Sequence, residues 1–226
     1  MGTLLAEDLL LLLLDDEKGS LHTSYADTVL GGALLTELAL LGAVTVAEKT
    51  SAWRTARVHA VGTTVEDPLL QESLALVAHK DRSAQDLVTR LGKGRRDALA
   101  ERLVERGILR RRESRVLGMF PRRRWPTLDP SHEQAVRRSL THVLVEGAEP
   151  DERTGALIAL LAAIDRAPKV VGHEGLSSRE VRKRAKRIAE GAWAAKAVRD
   201  AIAAATAATA GAVAASAGAA AATSGG

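Results

Sequence analysis

Cysteine is absent from the chain. Disulfides, thiolate metal sites and cysteine nucleophiles are therefore excluded, and a reducing compartment fits this composition. Aromatic residues make up only 2% of the 226 residues, while Leu and Ala abound. Strands draw on aromatic and β-branched side chains, whereas Leu and Ala favour helix, so a mainly α fold is expected. Long hydrophobic spans are lacking as well. Leu9–Leu14 is too short to cross a bilayer. The uncharged run from Ala201 to Ala222 has Ile202 and Val213 as its large apolar residues, which gives little transfer free energy. The leucine-rich N-terminus has no basic region before it and is interrupted by Glu7 and Asp8, unlike a signal peptide. A cytoplasmic protein is expected.

The constellations of an enzyme are also missing. His22, His59, His79, His132, His142 and His173 include no pair at i, i+4 and no His-Glu-x-x-His motif, which argues against zinc. Gly92-Lys93-Gly94 lacks the spacing of a phosphate-binding loop, and Gly31-Gly32 is not a dinucleotide fingerprint. No Gly-x-Ser-x-Gly elbow occurs. Carboxylates such as Asp97 in Arg95-Arg96-Asp97 read as solvated helix surface. Neither catalysis nor a cofactor is expected.

What is present is a succession of helix signals. Thr3 can cap a first helix with Leu4, Leu5, Leu9, Leu12 and Leu13 on one apolar face and Glu7 and Asp8 at its positive end. Residues 25–41 form a second helix, in which Gly31 and Gly32 need a packing reason. Val44–Ala47 and Arg57–Val61 read as short strands. Asp67-Pro68 opens a helix to His79, Ser83 opens one to Leu91, and Lys93–Arg106 ends at a Gly107 cap. Ile108–Trp125 reads as a β-hairpin turning near Gly118. Ser131-x-x-Gln134 caps the next helix, Asp151–Ile164 is apolar and central, and Ser177-x-x-Glu180 caps a last long one. The expected architecture is one helical domain over 3–200, a helix bundle core with surrounding amphipathic helices and a small β-hairpin. An Ala-rich low-complexity tail over 206–226, unable to form a core, completes it.

Positive charge concentrates in three places. Lys93, Arg95 and Arg96 stand at a helix start, where free N–H groups and the helix dipole attract phosphate. The hairpin carries Arg110, Arg111, Arg112 and Arg115 before its turn and Arg122, Arg123 and Arg124 after it. Arg179, Arg182, Lys183, Arg184, Lys186 and Arg187 spread around the last helix and read as a soluble face. The hairpin tip, Val116-Leu117-Gly118-Met119-Phe120-Pro121, is apolar where a soluble turn is polar. Such a tip either inserts among lipid headgroups or packs on the protein's own core or on a second copy. Each basic residue near an anionic bilayer is worth roughly 1 kcal/mol. A fully buried Leu or Phe is worth roughly 1.5–3 kcal/mol, so the two signals together support reversible docking.

Four segments in order resemble the Golgi phosphoprotein 3 (GPP34) family. They are Leu4-Leu5-Ala6-Glu7-Asp8 with the leucine run to Asp16, Gly31-Gly32-Ala33-Leu34-Leu35-Thr36-Glu37-Leu38-Ala39-Leu40-Leu41-Gly42, Leu103-Val104-Glu105-Arg106-Gly107-Ile108-Leu109, and Arg153-Thr154-Gly155-Ala156-Leu157-Ile158-Ala159-Leu160. The bias toward Ala, Arg and Leu resembles that of a bacterial, high-GC, actinobacterial-like member. The resemblance implies a single, mainly α-helical domain that binds membranes peripherally, on their cytoplasmic face, through phosphatidylinositol 4-phosphate. It implies a headgroup pocket of one aromatic residue and three arginines. Lys93 and Arg96 fall on two of the arginine positions and Tyr25 or the nearby His22 on the aromatic one. The third arginine position falls at Gly31-Gly32, where this chain has no basic residue, which leaves another anionic lipid as an alternative ligand. A hydrophobic hairpin that inserts and also mediates dimerisation corresponds to about 110–124.

The candidate headgroup ligands are thus Lys93, Arg96, Tyr25 and Arg95. The candidate membrane-inserting hairpin residues are Arg112, Arg115, Val116, Leu117, Met119, Phe120 and Arg122. The expected partners are an anionic phospholipid and a membrane surface, with self-association through the hairpin as a further possibility. Two other readings compete. A basic helix followed by an arginine-rich hairpin is also the plan of a winged-helix DNA-binding module, but its wing would need a polar tip, so nucleic acid is disfavoured. A protein-interaction scaffold with no lipid role is the third reading.

Overall fold

A computed structural model describes residues 2–15, 25–47, 57–116, 120–191 and 196–223. In chain order the elements are α1 (Leu5–Leu13), α2 (Ala26–Leu40), β1 (Val44–Val46), β2 (Arg57–Ala60), α3 (Pro68–His79), β3 (Arg82–Ser83), α4 (Ala84–Gly92) and α5 (Arg95–Glu105). Then follow β4 (Arg112–Val116), β5 (Phe120–Arg124), α6 (Ser131–Leu144), α7 (Glu152–Ala163), α8 (Ala167–Val170), α9 (Ser178–Glu190) and α10 (Lys196–Thr223). The fold is mainly α with two small antiparallel sheets, β1-β2-β3 and β4-β5, as expected. No helix among the described residues is long and apolar enough to cross a membrane.

Helix α1 departs from the one-sided amphipathic helix expected of it. All of Leu5–Leu13 is buried, including Glu7 and Asp8. Leucine on every side leaves no polar face to present to water, so the helix is enclosed. Its cap differs too. Glu7 reaches back to accept from the Leu4 N–H at 2.7 Å, while the Thr3 hydroxyl lies 3.1 Å from His132 Nε2.

Helices α2 and α4 cross with their backbones in contact. A Cβ on Gly31 would stand 2.0 Å from the Val88 carbonyl oxygen, and one on Gly92 would stand 1.7 Å from that of Asp27. The neighbouring Gly32 admits α10, since a Cβ there would stand 2.2 Å from Thr209 Oγ1. Both glycines therefore have the packing reason their place in a helix required.

The alanine-rich segment does more than a tail would. It continues α10, in which Ala205 and Thr209 are completely buried. Thr209 satisfies its hydroxyl on the Ala205 carbonyl at 2.8 Å. Side chains too small to build a core of their own are small enough to bring a helix close against an existing one.

Side-chain caps explain the starts of α3, α4, α7 and α9. Asp67 accepts from the Leu69 N–H at 2.9 Å, Asp151 from Thr154 N at 2.7 Å, and Ser177 Oγ from Glu180 N at 3.1 Å. Helix α6 lacks the cap expected of it: Ser131 is its first residue, and Asp129 takes the Ser131 N–H at 2.9 Å. Helix α5 starts later than expected, behind Gly94 at φ +70. It ends in a Schellman motif. Gly107, at φ +73, donates to the Val104 carbonyl, and Ile108 donates to that of Leu103, each at 2.9 Å. The chain then enters the hairpin, closed at its base by Arg110 N–H to Pro126 O (3.0 Å) and Leu128 N–H to Ile108 O (2.9 Å).

In an open helix, Gly to Ala stabilises by roughly 0.5–1 kcal/mol. At the α2–α4 crossing the sign should reverse. Gly92→Ala should lower unfolding free energy in urea titration by about 2 kcal/mol or more. Gly62→Ala, with nothing within 4 Å, should stay within about 0.5 kcal/mol of the parent. Equal stability of both variants would contradict the close crossing.

Candidate functional site

The N-terminus of α5 and the hairpin form one surface. Gly94 turns the chain so that Lys93 and Arg96 are exposed. The Arg96 guanidinium lies over the ring of the buried Trp125, 5.4 Å from its centroid. Asp97 joins Arg96 (Nε–Oδ1 3.3 Å) to Arg123 on β5 (Nη1–Oδ2 3.2 Å). One turn on, Glu101 pairs with Arg111 at 3.4 Å. Arg95 is engaged by Glu72 of α3 at 2.8 Å. No acidic partner of Lys93, Arg112 or Arg124 occurs among the described residues.

The hairpin register is Arg112↔Arg124, Glu113↔Arg123, Ser114↔Arg122, Arg115↔Pro121 and Val116↔Phe120. Arg112 thus stands directly opposite Arg124, a like-charge pairing that costs stability unless an anion intervenes. Arg124 Nε and Trp125 Nε1 are buried and have no hydrogen-bond partner among the described residues. Val116 and Phe120 are the last pair of this register. Leu117, Gly118 and Met119, the centre of the expected apolar tip, lie outside the described residues, as does His22.

Tyr25 precedes α2 and packs partly buried against the core. Its hydroxyl lies 3.5 Å from Nη2 of Arg166, in the α7–α8 connection. Two residues along, the Asp27 carboxylate accepts from the Gly94 N–H at 3.2 Å. The structure therefore links Tyr25 to the α5 start through a short stretch of α2. It adds two groups that sequence reasoning missed, Arg166 and Asp27. No local pattern marks either: Arg166 is 141 residues from Tyr25 and Asp27 is 67 from Gly94.

The surface is held in place from beneath. On α5, Arg102 bridges Glu7 (2.7 Å) and Asp67 (2.5 Å), and Arg106 reaches Glu7 at 3.6 Å. Burial works against the Arg102 charge, and the bonds to Glu7 and Asp67 more than offset it. Arg153 of α7 bridges Asp8 (2.7 Å) and Glu37 (3.2 Å) and donates to the Thr3 carbonyl at 2.6 Å. Here burial again opposes the charge, and Asp8 and Glu37 outweigh it. His132 Nε2 lies 2.8 Å from the other Asp8 oxygen. Glu37 also accepts from the Leu5 N–H. Desolvation dominates at this carboxyl and raises its pKa, against the lowering effects of the Leu5 bond and Arg153.

A cleft of about 650 Å³ between the α6–α7 connection and α9 is lined by Glu146, Glu149, Glu180, Arg184 and Arg187 among others. None of the candidate headgroup or hairpin residues lines it.

A mainly helical domain with a basic helix start beside an arginine-rich hairpin is the class these features define. The sequence matches the Golgi phosphoprotein 3 (GPP34) family over residues 5–205, from α1 into α10, and the chain belongs to that family. The match extends beyond the four segments that first suggested it. No curated protein matches the chain closely.

Glu37 yields a pH test. Its folded pKa lies above the ordinary 4.5. Folding therefore favours its protonated form, and the stability this brings is full below about pH 4.5 and is lost as pH rises through the folded value. Glu37→Gln removes that titration. The stability of the parent protein relative to the Gln variant should fall as pH rises from 4.5, read as the difference in melting temperature across a pH series. A difference that moves the other way would contradict the desolvation argument.

Proposed function

We propose that this chain is a non-catalytic peripheral membrane protein that binds anionic phospholipid headgroups on the cytoplasmic face of a membrane. Phosphatidylinositol 4-phosphate is the headgroup that the family resemblance suggests. The observation that carries the reading is a single cationic surface. Arg96–Trp125 and Asp97–Arg123 join the α5 start to the hairpin, and Lys93, Arg112 and Arg124 have no acidic partner among the described residues.

The chemistry follows from that arrangement. Free N–H groups in the first turn of α5, with Lys93 and Arg96 beside them, offer phosphate both hydrogen bonds and charge. The Arg96 guanidinium, laid on Trp125, is pre-oriented and loses less freedom on binding. Tyr25 and Arg166 border the same surface, so Arg166 supplies a cation that the Gly31-Gly32 stretch lacks. Asp27 holds the Gly94 N–H and repels an anion there, which directs phosphate toward Lys93 and Arg96. The hairpin tip, with Leu117, Met119 and Phe120, enters the bilayer while the arginines remain among the phosphates.

The two parts should fail differently. Lys93→Ala with Arg96→Ala removes two cations worth roughly 1 kcal/mol each. Vesicle affinity should drop by about 30-fold at low salt, and by less at high salt where charge is screened. Leu117→Ser with Phe120→Ser removes apolar burial, so a loss of at least about tenfold should persist at high salt. Flotation on phosphatidylglycerol and phosphoinositide vesicles reads both. Unchanged binding in both variants would remove the site assignment. A fold that collapses on the Leu117 and Phe120 changes would make the tip core or subunit interface instead.

A further inference from the structure

Helix α9 separates its side chains by chemistry. Val181 and Ala185 are completely buried, and Ile188 packs against the core. Arg184 leaves the company of the other cations. Its Nη1 donates to the Leu144 carbonyl at 3.2 Å and to that of Val145 at 2.7 Å, so it caps the end of α6. Arg179, Arg182, Lys183, Lys186 and Arg187 are all exposed. At 3.6 residues per turn these five fall within an arc of about 140°. A set that looked spread around the helix in sequence is a stripe once Arg184 is drawn inward.

The stripe is short of counter-charge. Arg182 pairs with Asp165, Nε to Oδ1 at 2.6 Å. The other four have no acidic partner among the described residues, and Glu190 is the one carboxylate of α9 within the arc. Ordinary solvated helix faces mix both signs, with acid and base at i, i+4.

Its position is informative too. Asp165 is the non-glycine residue with positive φ, 54°, among those described. That turn presents Asp165 to Arg182 and the next residue, Arg166, to the Tyr25 hydroxyl. Arg182 of the stripe is thus joined, through Asp165 and the adjacent Arg166, to Tyr25 of the candidate headgroup set. Its arc contains no apolar residue, so it suits the phosphate layer rather than the acyl chains.

We infer that the outward face of α9 is a second membrane-contacting surface, which responds to bilayer charge rather than to headgroup identity. The inference rests on the headgroup reading above. Anionic headgroups are laid out in a layer, and a one-sided stripe of cations, connected at Arg182 to Tyr25, offers that layer several contacts at once.

The test combines Arg179→Gln, Lys183→Gln, Lys186→Gln and Arg187→Gln in the full chain. Binding is measured to phosphatidylcholine vesicles with and without phosphatidylglycerol, and to soluble inositol 1,4-bisphosphate. At about fivefold per cation, removing four should lower vesicle affinity by more than about 100-fold at low salt, and the loss should shrink at high salt. Inositol bisphosphate binding should be unchanged, whereas Lys93→Ala with Arg96→Ala should abolish it. Arg179→Lys with Arg187→Lys should retain vesicle binding, which separates charge from any loss of folding. If the Gln variant, melting like the parent, binds vesicles equally well, the α9 inference is overturned while the headgroup reading stands. If the parent binds no anionic vesicle, both fall. A duplex DNA shift that only the α9 changes abolish would assign the stripe to nucleic acid and overturn the inference.

Discussion

Two adjacent carboxylates on a fully buried helix set the terms for this fold. Glu7 and Asp8 are 0% and 2% exposed, and such charges are tolerated inside only when paired and hydrogen-bonded. Arg102 and Arg106 come to Glu7 from α5, Arg153 comes to Asp8 from α7, and Glu37 of α2 shares Arg153. Taking one partner from such a buried pair costs about 3–5 kcal/mol, because the other charge remains inside. The requirement is directional, which apolar packing alone is not. It therefore determines how α1, α2, α5 and α7 are set against one another. The four segments that resemble the GPP34 family are the ones that meet here, contributing Glu7 and Asp8, Glu37, Arg106, and Arg153.

Helix α5 carries this constraint to the surface. Arg102 and Arg106, one turn apart, face the buried acids. Asp97 and Glu101, also one turn apart, hold Arg123 and Arg111 of the hairpin. The same helix is thus anchored in the core on one side and supports the hairpin on the other. Its N-terminus is brought near Tyr25 by the glycine crossing of α2 and α4, which sets Asp27 against Gly94. A basic helix start could be a merely solvated end. Here it is fixed relative to the hairpin and to Arg166, and that makes a shared ligand geometrically sensible.

Local signals in the sequence were legible where their physics is local. The caps at Asp67, Ser83 and Ser177, the Gly107 stop and the pairing of β4 with β5 in a hairpin each depend on residues a few positions apart. The demand that Gly31 and Gly32 pack closely was also readable, though not what packs there. Long-range pairing was not. Glu7 and Asp8 look like first-turn acids until Arg102 and Arg153 arrive from 95 and 145 residues away. The Arg96–Trp125 stacking and the inward turn of Arg184 are equally invisible in one dimension. The two-residue strand β3 has no periodicity to read, and the alanines of α10 show their value only against the glycine of another helix. The candidate headgroup residues were found by charge and by resemblance. Arg166 and Asp27, which lie outside both the basic clusters and the matching segments, needed the fold.

Membrane contact through the α5 start and the hairpin, extended by α9, should leave a footprint on the chain. Hydrogen exchange of backbone amides, compared with and without anionic vesicles, tests it most directly. The account predicts added protection at the start of α5 around residues 93–97, through the hairpin at 110–124, and along α9, with α3 and the α6–α7 connection unchanged. Protection confined to those last two regions, or none anywhere at saturating vesicle, would contradict it.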